Sequence, residues 1–380
     1  MTLDKIIEKI KNYRGSVKIM EVCGTHTSSI FKHGIRSIIP QGIKLLSGPG
    51  CPVCVTPASD IDDLIEISYE RTVYCFGDMF RVPGSGLSLS DAKAGGSVRL
   101  MYSPFEIINV AKENPDKKFT AAAVGFETTA PVYAALIDEL IFENITNVTL
   151  YTALKTIPEA LEYICGAESV DAFICPGHVA AVTGSAVFEK LCEKYEKPFV
   201  IAGFEAEHIL SAVYEIINQI ERGRCSAKNL YPSVVNINGQ ERARAAIDKY
   251  FIKTDSVWRG IGEIKNSGYK LRDEYAIFSA NRIGGRETGD EIEIHSADNT
   301  RKDETGSGLN EIINNESSAC KIYKTEFLNG CRCADVLLGR IAPPECGLFA
   351  KKCTPESPAG ACMVSSEGAC GIYYTEGVFE

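Results

Sequence analysis

The sequence predicts an α/β protein with two parallel-sheet α/β domains and a C-terminal domain made mostly of loops and helices. The chain has 380 residues, more than one simple hydrophobic core accommodates, so several domains are expected. Near-continuous apolar runs, such as "FTAAAV" and "VDAFIC", alternate with helical patterns. That alternation is typical of parallel sheets that are covered on both faces. The region after about residue 311 is instead rich in Cys, Gly and Pro.

Each apolar run ends in a polar turn that contains glycine. In chain order, "SVKIMEV" precedes "CGTHT", "RTVYCF" precedes "GDMFRVPGS", "FTAAAV" precedes "GFETT", "VDAFIC" precedes "PGHVA", and "PFVIA" precedes "GFEAEHIL". In α/β sheets, ligands bind outside the carboxyl ends of the strands. These turns are therefore the predicted location of the chemistry.

Domain boundaries follow from breaks in this pattern. The polar segment "KENPDKK", 112–118, separates residues 15–117 from residues 118–230, and each part is expected to form one sheet. The first part holds the "CGTHT" turn, and the second holds the "GFETT" and "PGHVA" turns. Residues 231–380 are expected to form a linker and a C-terminal domain that packs with an amphipathic N-terminal helix at residues 1–14.

Composition and charge limit the function. Hydrophobic residues make up 45% of the chain and charged residues 24%, as in ordinary globular proteins. The net charge of -10 argues against nucleic acid as the main partner, because phosphate binding needs a basic surface. No apolar run approaches the length of a membrane span, and the N-terminus lacks the apolar core of a signal peptide. We therefore expect a cytoplasmic protein with no membrane partner.

Cysteines are concentrated near the C-terminus. The chain has fifteen, and seven lie between residues 320 and 380: Cys320, Cys331, Cys333, Cys346, Cys353, Cys362 and Cys370. Four thiolates can hold zinc or an iron–sulfur cluster. The absence of paired C-x2-C knuckles from this tail favours a [4Fe–4S] cluster. Five further cysteines lie in apolar or helical stretches and are expected to be buried core residues: Cys75, Cys165, Cys175, Cys192 and Cys225.

Cys23 in "EVCGTHT" lies at a predicted strand end, where Thr25 and Thr27 can cap a following helix. Helix N-terminal N–H groups and the nearby His26 would favour its thiolate. Such a thiolate can be a nucleophile or a soft ligand for a metal delivered by a partner. An ordinary turn cysteine is the third interpretation.

Cys51 and Cys54 in "SGPGCPVCVTP" have the C-x-x-C spacing of a dithiol/disulfide couple. Prolines surround them, so the pair is not expected to open a long helix. A structural zinc site would need a second nearby pair, and none precedes the tail. Redox chemistry or transient metal binding is the preferred interpretation.

Six motifs together resemble the hydrogenase maturation factor HypD family: "CGTHT", "SGPGCPVCVTP", "FGDMFRVPGS", "GFETTAP", "PGHVA" and "CTPESPAGACMVSSEGAC". They occur in family order and cover most of the chain. The resemblance implies two α/β domains flanking a cleft, plus a [4Fe–4S] domain. It also implies a scaffold that assembles the Fe(CN)2(CO) group of [NiFe]-hydrogenases with a small partner, HypC. It further implies that cyanide arrives through HypE and that the product passes to the hydrogenase large subunit.

The resemblance also implies roles for individual residues. Cys23 becomes a ligand to the iron under assembly, shared with a cysteine of HypC, and Cys51 and Cys54 become a redox dithiol coupled to the tail cluster. The cluster ligands become Cys331, Cys346, Cys353 and Cys362, with Cys333 as an alternative first ligand and Cys370 in a supporting position. The turns around the iron would supply hydrogen bonds or protons through His26, Asp78, Arg81, Glu127, Thr128 and His178.

Without the resemblance, the alternative is a cysteine-dependent redox enzyme. Cys23 would be its nucleophile and the tail cluster its electron source. A plain structural zinc protein is a third option.

Overall fold

The computed structural model describes residues 1–166, 169–281 and 330–377. The fold is α/β, with two parallel sheets covered by helices, as the sequence predicts. The strands within these ranges are β1 (Val17–Glu21), β2 (Ile43–Ser47), β3 (Thr72–Cys75), β4 (Ser97–Leu100), β5 (Phe119–Gly125), β6 (Val148–Leu154), β7 (Ala172–Pro176), β8 (Phe199–Ala202), β9 (Ala227–Asn229), β10 (Phe251–Trp258) and β11 (Gly262–Leu271).

Helices cover both faces of the sheets. Within the described ranges they are α1 (Leu3–Lys11), α2 (Gly24–Lys32), α3 (Ile35–Ile38), α4 (Pro52–Val55), α5 (Ala58–Glu70), α6 (Gly77–Phe80), α7 (Leu89–Ala92), α8 (Glu106–Glu113), α9 (Ala130–Phe142), α10 (Ile157–Cys165), α11 (Gly177–Thr183), α12 (Ala186–Tyr195), α13 (Ala206–Glu221), α14 (Glu241–Tyr250), α15 (Cys333–Leu337), α16 (Ala361–Val364) and α17 (Ala369–Glu376). Two 3-10 turns span Asp273–Phe278 and Pro343–Glu345. None of these helices is long and apolar enough to cross a lipid bilayer.

The first sheet has the strand order β2-β1-β7-β8-β9, and all its neighbours are parallel. Every residue of the central β7 and of β8 is buried, because helices cover both faces of the sheet. The carboxyl ends of these parallel strands share one edge. The "CGTHT" turn, the "GPGCPVC" segment and the "PGHVA" turn therefore lie along the same edge.

The second sheet has the parallel order β4-β3-β5-β6. All seven residues of β5 are buried, as expected for "FTAAAVG" at the centre of a sheet. The "GDMFRVPGS" turn follows β3, and the "GFETT" turn follows β5. Both turns therefore lie at the carboxyl edge of this second sheet.

The predicted division of the two sheets at residue 117 is wrong. The chain leaves the first sheet after β2, forms the whole second sheet with β3 to β6, and returns to the first sheet with β7. The segment at 112–118 connects α8 to β5 inside the second sheet. Because each strand–helix unit looks alike in sequence, local pattern does not reveal which sheet a strand joins.

The N-terminal helix also packs differently from the prediction. Ile6 and Ile10 of α1 lie in one core with Ile209 and Val213 of α13, on the outer layer of the first sheet. Among the described residues, the core contacts of α1 are therefore with the first sheet and α13, and the core cluster that holds α1 contains no residue of 330–377. Within the predicted linker, residues 241–271 form α14 and an antiparallel hairpin of β10 and β11. The segment 282–329 lies outside the described residues.

Residues 330–377, the described part of the tail, are short helices and turns that dock on both sheets. Gly24, the first residue of α2, meets this tail: a Cβ there would lie 2.4 Å from the Glu367 backbone oxygen. Asp78 at the start of α6 accepts a hydrogen bond from the Ser365 hydroxyl, 2.8 Å away. The segment around Glu367 is thus held by the first sheet at Gly24 and by the second sheet at Asp78.

The close approach at Gly24 predicts the effect of a single methyl group. Gly24→Ala should cost roughly 1–3 kcal/mol, because backbone must move to accept the new carbon. It should lower the thermal unfolding midpoint and speed proteolysis of the tail. Gly77→Ala is the matched control: Gly77 also begins a short helix, and a Cβ there would meet nothing within 4 Å. Equal stability of the two variants would contradict this packing.

Candidate metal and redox centre

Cys23 occupies the N-cap position of α2, next to the backbone N–H groups of the first helical turn. Burial raises the pKa of its thiol to about 11, although hydrogen bonds from Thr25 and from the His26 backbone act to lower it. The nearby Glu21 carboxyl raises it further. The expectation that the helix N-terminus yields a free thiolate is therefore wrong, since desolvation outweighs the N–H groups. A metal ion would have to replace the thiol proton.

Glu21, at the end of β1, supports this turn and was missed by sequence reasoning. It is 1% exposed, and one carboxylate oxygen accepts a hydrogen bond from the Cys23 backbone N–H at 3.2 Å. The other oxygen accepts a hydrogen bond from the Thr27 hydroxyl, so Thr27 fixes the position of the Glu21 carboxylate. Burial raises the pKa of Glu21 to about 7. A charged residue within the apolar run "SVKIMEV" was the signal that could have identified it.

His26 and His178 lie together beside Phe204. The ring centroids of His26 and His178 are 4.8 Å and 4.3 Å from that of Phe204. The Nε2–H of His26 donates to the Gly203 carbonyl at 3.0 Å, and burial lowers the pKa of His26 to about 4. The ring is therefore neutral, and its buried, unpartnered Nδ1 is an acceptor. His26 thus has no N–H group free to donate to a ligand. The side chain of His178 is exposed.

Cys51 and Cys54 form a compact dithiol turn, residues 51–56. Cys51 caps the four-residue helix α4, and its sulfur accepts a hydrogen bond from the Cys54 backbone N–H at 3.2 Å. Both are free thiols, 2% and 0% exposed. The prediction that this pair does not open a long helix is confirmed.

The dithiol turn touches Cys23 on one side and the tail on the other. A Cβ on Gly50, next to Cys51, would lie 2.5 Å from the backbone of Cys23. The Cys54 thiol donates to the Ala361 carbonyl at 3.9 Å and is a hydrogen-bonding neighbour of the Cys362 thiol. The segments that carry Cys23, the dithiol turn and Cys362 are therefore in contact with one another.

A small cavity in the tail is lined by six cysteines: Cys331, Cys333, Cys346, Cys353, Cys362 and Cys370. Its other lining residues are mostly apolar and include Val336, Leu348 and Phe349, together with the charged Arg332. Gly360 closes one side: a Cβ there would lie 2.5 Å from the Cys331 sulfur. The hydrogen bond with Cys333 and burial raise the pKa of Cys331. The hydrogen bond with Cys331 acts to lower the pKa of Cys333, but Cys362 and burial raise it above its usual value. Cys320 lies outside the described residues.

The thiols around this cavity are the donor type that a [4Fe–4S] cluster binds, through four cysteines on four separate irons. Across residues 1–166, 169–281 and 330–377, no group of three or more His, Cys, Asp or Glu side chains lies close enough together to hold a metal ion. All four predicted ligands line this space. Cys331 and Cys333 are in contact, so both remain candidates for the first ligand.

The other predicted site residues are not gathered at Cys23. Arg81 donates to the Pro355 carbonyl at 3.4 Å, so it contacts the tail, as Asp78 does. Thr128 is exposed. Glu127 lines a separate cavity of about 340 Å³ between the two α/β units, with Lys253 and Tyr269 on its walls. Cys23 does not line that cavity.

Comparison with known proteins gives the family. A model described as "HypD: Hydrogenase formation hypA family" matches residues 1–326 and 311–377.

The chain belongs to the HypD family.

Named HypD relatives match nearly the whole chain. The hydrogenase maturation factor HypD of Rhodobacter capsulatus is 38% identical over 95% of this chain and 89% of its own length. A putative hydrogenase expression/formation protein of Methanocaldococcus jannaschii is 38% identical over 98% of this chain and 94% of its own. HypD of Escherichia coli is 35% identical over 94% of this chain and 88% of its own length. The chain is therefore a hydrogenase maturation factor, a role that implies partnership with other maturation proteins.

The remaining cysteines of this HypD chain follow the prediction with one exception. Cys75, Cys165, Cys175 and Cys192 are buried in the core, as expected. Cys225 is exposed, so its predicted burial is wrong. Arg259, in the segment "VWRGIGEI", was missed by sequence reasoning although it contacts the dithiol turn.

Glu127 gives this HypD chain a testable pH dependence. One carboxyl oxygen accepts from the Ile157 N–H at 3.0 Å, and the other is buried without a partner. Burial raises the pKa of Glu127 from 4.5 to about 8. The unfolded chain therefore loses this proton first, and the free energy of unfolding falls as pH rises from about 4.5 to 8. Each pH unit within that window is worth up to about 1.4 kcal/mol.

Glu127→Gln keeps the acceptor for Ile157 and removes the titration. Its unfolding midpoint should rise relative to the unsubstituted protein between pH 5 and pH 8, measured by thermal or denaturant unfolding. The exposed Glu113→Gln is the control and should follow the unsubstituted protein. A Glu127→Gln difference that stays constant across this range would contradict the burial of an acid at this position.

Proposed function

We propose that this chain is the scaffold on which the Fe(CN)2(CO) group of [NiFe]-hydrogenase is assembled, together with HypC and HypE, before transfer to the hydrogenase large subunit. The observation that carries the proposal is the contiguity of Cys23, the dithiol turn and the tail cysteines. Assembly of a low-spin iron group needs a soft ligand and control of redox state, and both are available here within one continuous set of contacts.

Cys23 is the proposed ligand to the iron substrate, which a cysteine of HypC would share. The iron would displace the thiol proton, and the N–H groups around the sulfur would then stabilise the thiolate. The exposed His178, beside this turn, is the residue that we propose takes up or returns a proton. Asp78 and Arg81 would act by holding the tail next to Gly24 rather than by touching the iron. Thr128 remains a proposed hydrogen-bond donor to cyanide, and Glu127 a proposed proton carrier.

Cys51 and Cys54 are the proposed redox couple. Reduction of a Cys51–Cys54 disulfide takes up two electrons and two protons and gives two thiols. When bound, a [4Fe–4S] cluster held by Cys331, Cys346, Cys353 and Cys362 would supply electrons one at a time. The Cys54–Cys362 contact is the support for coupling between dithiol and tail. Thiol pairs and clusters of this kind belong to a reducing compartment, and we assign the protein to the cytoplasm.

The alternative, a redox enzyme with Cys23 as nucleophile, has less support. Nucleophilic cysteines act as thiolates, and enzymes depress their pKa to achieve this. Burial raises the pKa of Cys23 instead, to about 11. A metal ligand tolerates such a pKa, because the metal competes directly with the proton.

The iron site can be tested by infrared spectroscopy. Cys23→Ser should abolish the CN and CO bands of the anaerobically purified complex with HypC, because the chain would lack its thiolate ligand. The visible absorption of the tail cluster should persist, since its ligands lie in a separate segment. Cys225→Ser, at an exposed cysteine outside the site, is the matched control and should keep all bands. Wild-type CN and CO bands in Cys23→Ser would overturn the proposed iron site.

The tail cluster can be tested by metal analysis. Anaerobically prepared protein should contain about four irons and four sulfides per chain. Cys346→Ala or Cys353→Ala should lose both, whereas Cys165→Ala, also at a buried cysteine, should keep them. Comparing Cys331→Ser with Cys333→Ser would identify the first ligand. Stoichiometric zinc without sulfide would rule out the cluster.

A further inference from the structure

Arg259 bridges the dithiol turn and the second sheet. Its backbone N–H donates to the Val55 carbonyl at 2.8 Å, and its Nε donates to the Thr56 carbonyl at 2.6 Å. Its Nη2 donates to the Pro83 carbonyl at 2.8 Å, in the loop that follows α6. One residue thus satisfies two carbonyls at the C-terminal end of α4, where helix carbonyls have no partner within the helix.

The neighbours of Arg259 fix its position. Trp258 is fully buried, stacks on Phe126 with ring centroids 6.1 Å apart, and donates its indole N–H to Ser267 at 2.8 Å. Gly260 has a positive φ of 67°, and a Cβ there would lie 2.6 Å from the Ala334 side chain in the tail. Three consecutive residues at the hairpin tip therefore contact the second sheet, the dithiol turn and the tail.

We propose that Arg259 is the positioning residue that keeps the dithiol turn docked against the tail, and that it thereby controls the accessibility and the thiol–disulfide equilibrium of Cys51 and Cys54. The second part rests on the redox role proposed above. The hydrogen bonds of Arg259 are made to the turn in its free-thiol state. Closing a disulfide requires the two sulfurs to approach and the turn to adjust, so these bonds favour the thiol form.

The bonding pattern also explains why arginine is required. The Thr56 and Pro83 carbonyls belong to different segments, and the planar guanidinium reaches both with two fixed donors. A lysine ammonium keeps the charge but is a point donor on a flexible stem. Arg259→Lys should therefore not keep the dithiol turn docked. This variant separates the effect of hydrogen-bond geometry from the effect of positive charge.

The test uses the full-length anaerobic protein with Arg259→Gln, Arg259→Lys and the control Arg272→Gln. Arg272, also half-buried, donates to the Asp248 carbonyl at 2.8 Å, away from the dithiol. Alkylation of the native protein, mapped by mass spectrometry, should be at least tenfold faster at Cys51 and Cys54 in both Arg259 variants. The buried Cys165 should be unchanged.

The second readout is the thiol–disulfide equilibrium with dithiothreitol. In this reaction dithiothreitol gives two electrons and two protons to the Cys51–Cys54 disulfide and is itself oxidised to its cyclic disulfide. Both Arg259 variants should shift this equilibrium about tenfold towards the disulfide, about 30 mV for a two-electron couple. Arg272→Gln should match the unsubstituted protein in both readouts.

Unchanged alkylation and equilibrium in Arg259→Gln would overturn the inference, and so would full rescue by Arg259→Lys. If the unsubstituted protein forms no disulfide at all, the proposed redox role of Cys51 and Cys54 is wrong. The proposed control of their thiol–disulfide equilibrium by Arg259 is then wrong as well. The alkylation rates would then decide the docking role alone. Should Arg259→Gln not accumulate as folded protein, Arg259→Lys decides, because it keeps the charge and the aliphatic stem.

Discussion

Docking of the dithiol turn between Cys23 and the cysteine-rich tail is the contact on which the rest of this structure depends. Gly50 has no side chain, so the turn lies directly on the Cys23 backbone. On its other side Cys54 meets Ala361 and Cys362. Burial raises the pKa of the Cys23 and Cys54 thiols, so each stays protonated until a metal ion replaces the proton or an electron acceptor oxidises the thiol. The packing therefore protects the thiols and also brings them together.

The crossed connectivity of the two sheets brings the His178 turn to the edge where the Cys23 and dithiol turns lie. Because the chain forms the second sheet between β2 and β7, the first sheet collects the Cys23 turn, the dithiol turn and the His178 turn along one edge. The second sheet contributes Asp78, which anchors the tail, and Phe126, against which the hairpin tip packs. A HypD chain divided into two consecutive sheets would separate the His178 turn from the Cys23 turn.

Sequence reasoning identified the α/β class, the thiol motifs and the tail cysteines, because apolar runs and cysteine spacing are local signals. It did not identify the partner sheet of each strand, which depends on contacts between distant segments. It also misjudged the Cys23 thiol, since a helix N-terminus is visible in sequence whereas desolvation is not. Glu21 and Arg259 were missed for the same reason: their roles lie in contacts to Cys23 and to Thr56 that only the folded chain reveals.

The most direct test of the account is electron delivery to the dithiol through the tail. The holoprotein with a Cys51–Cys54 disulfide would be reduced by a low-potential viologen radical, a one-electron donor, and the new thiols counted over time by alkylation and mass spectrometry. We predict two thiols per two electrons, and a reduction that is much slower in Cys362→Ser, although dithiothreitol still reduces that variant at the normal rate. Equal rates with the viologen in both proteins would contradict coupling through the Cys54–Cys362 contact.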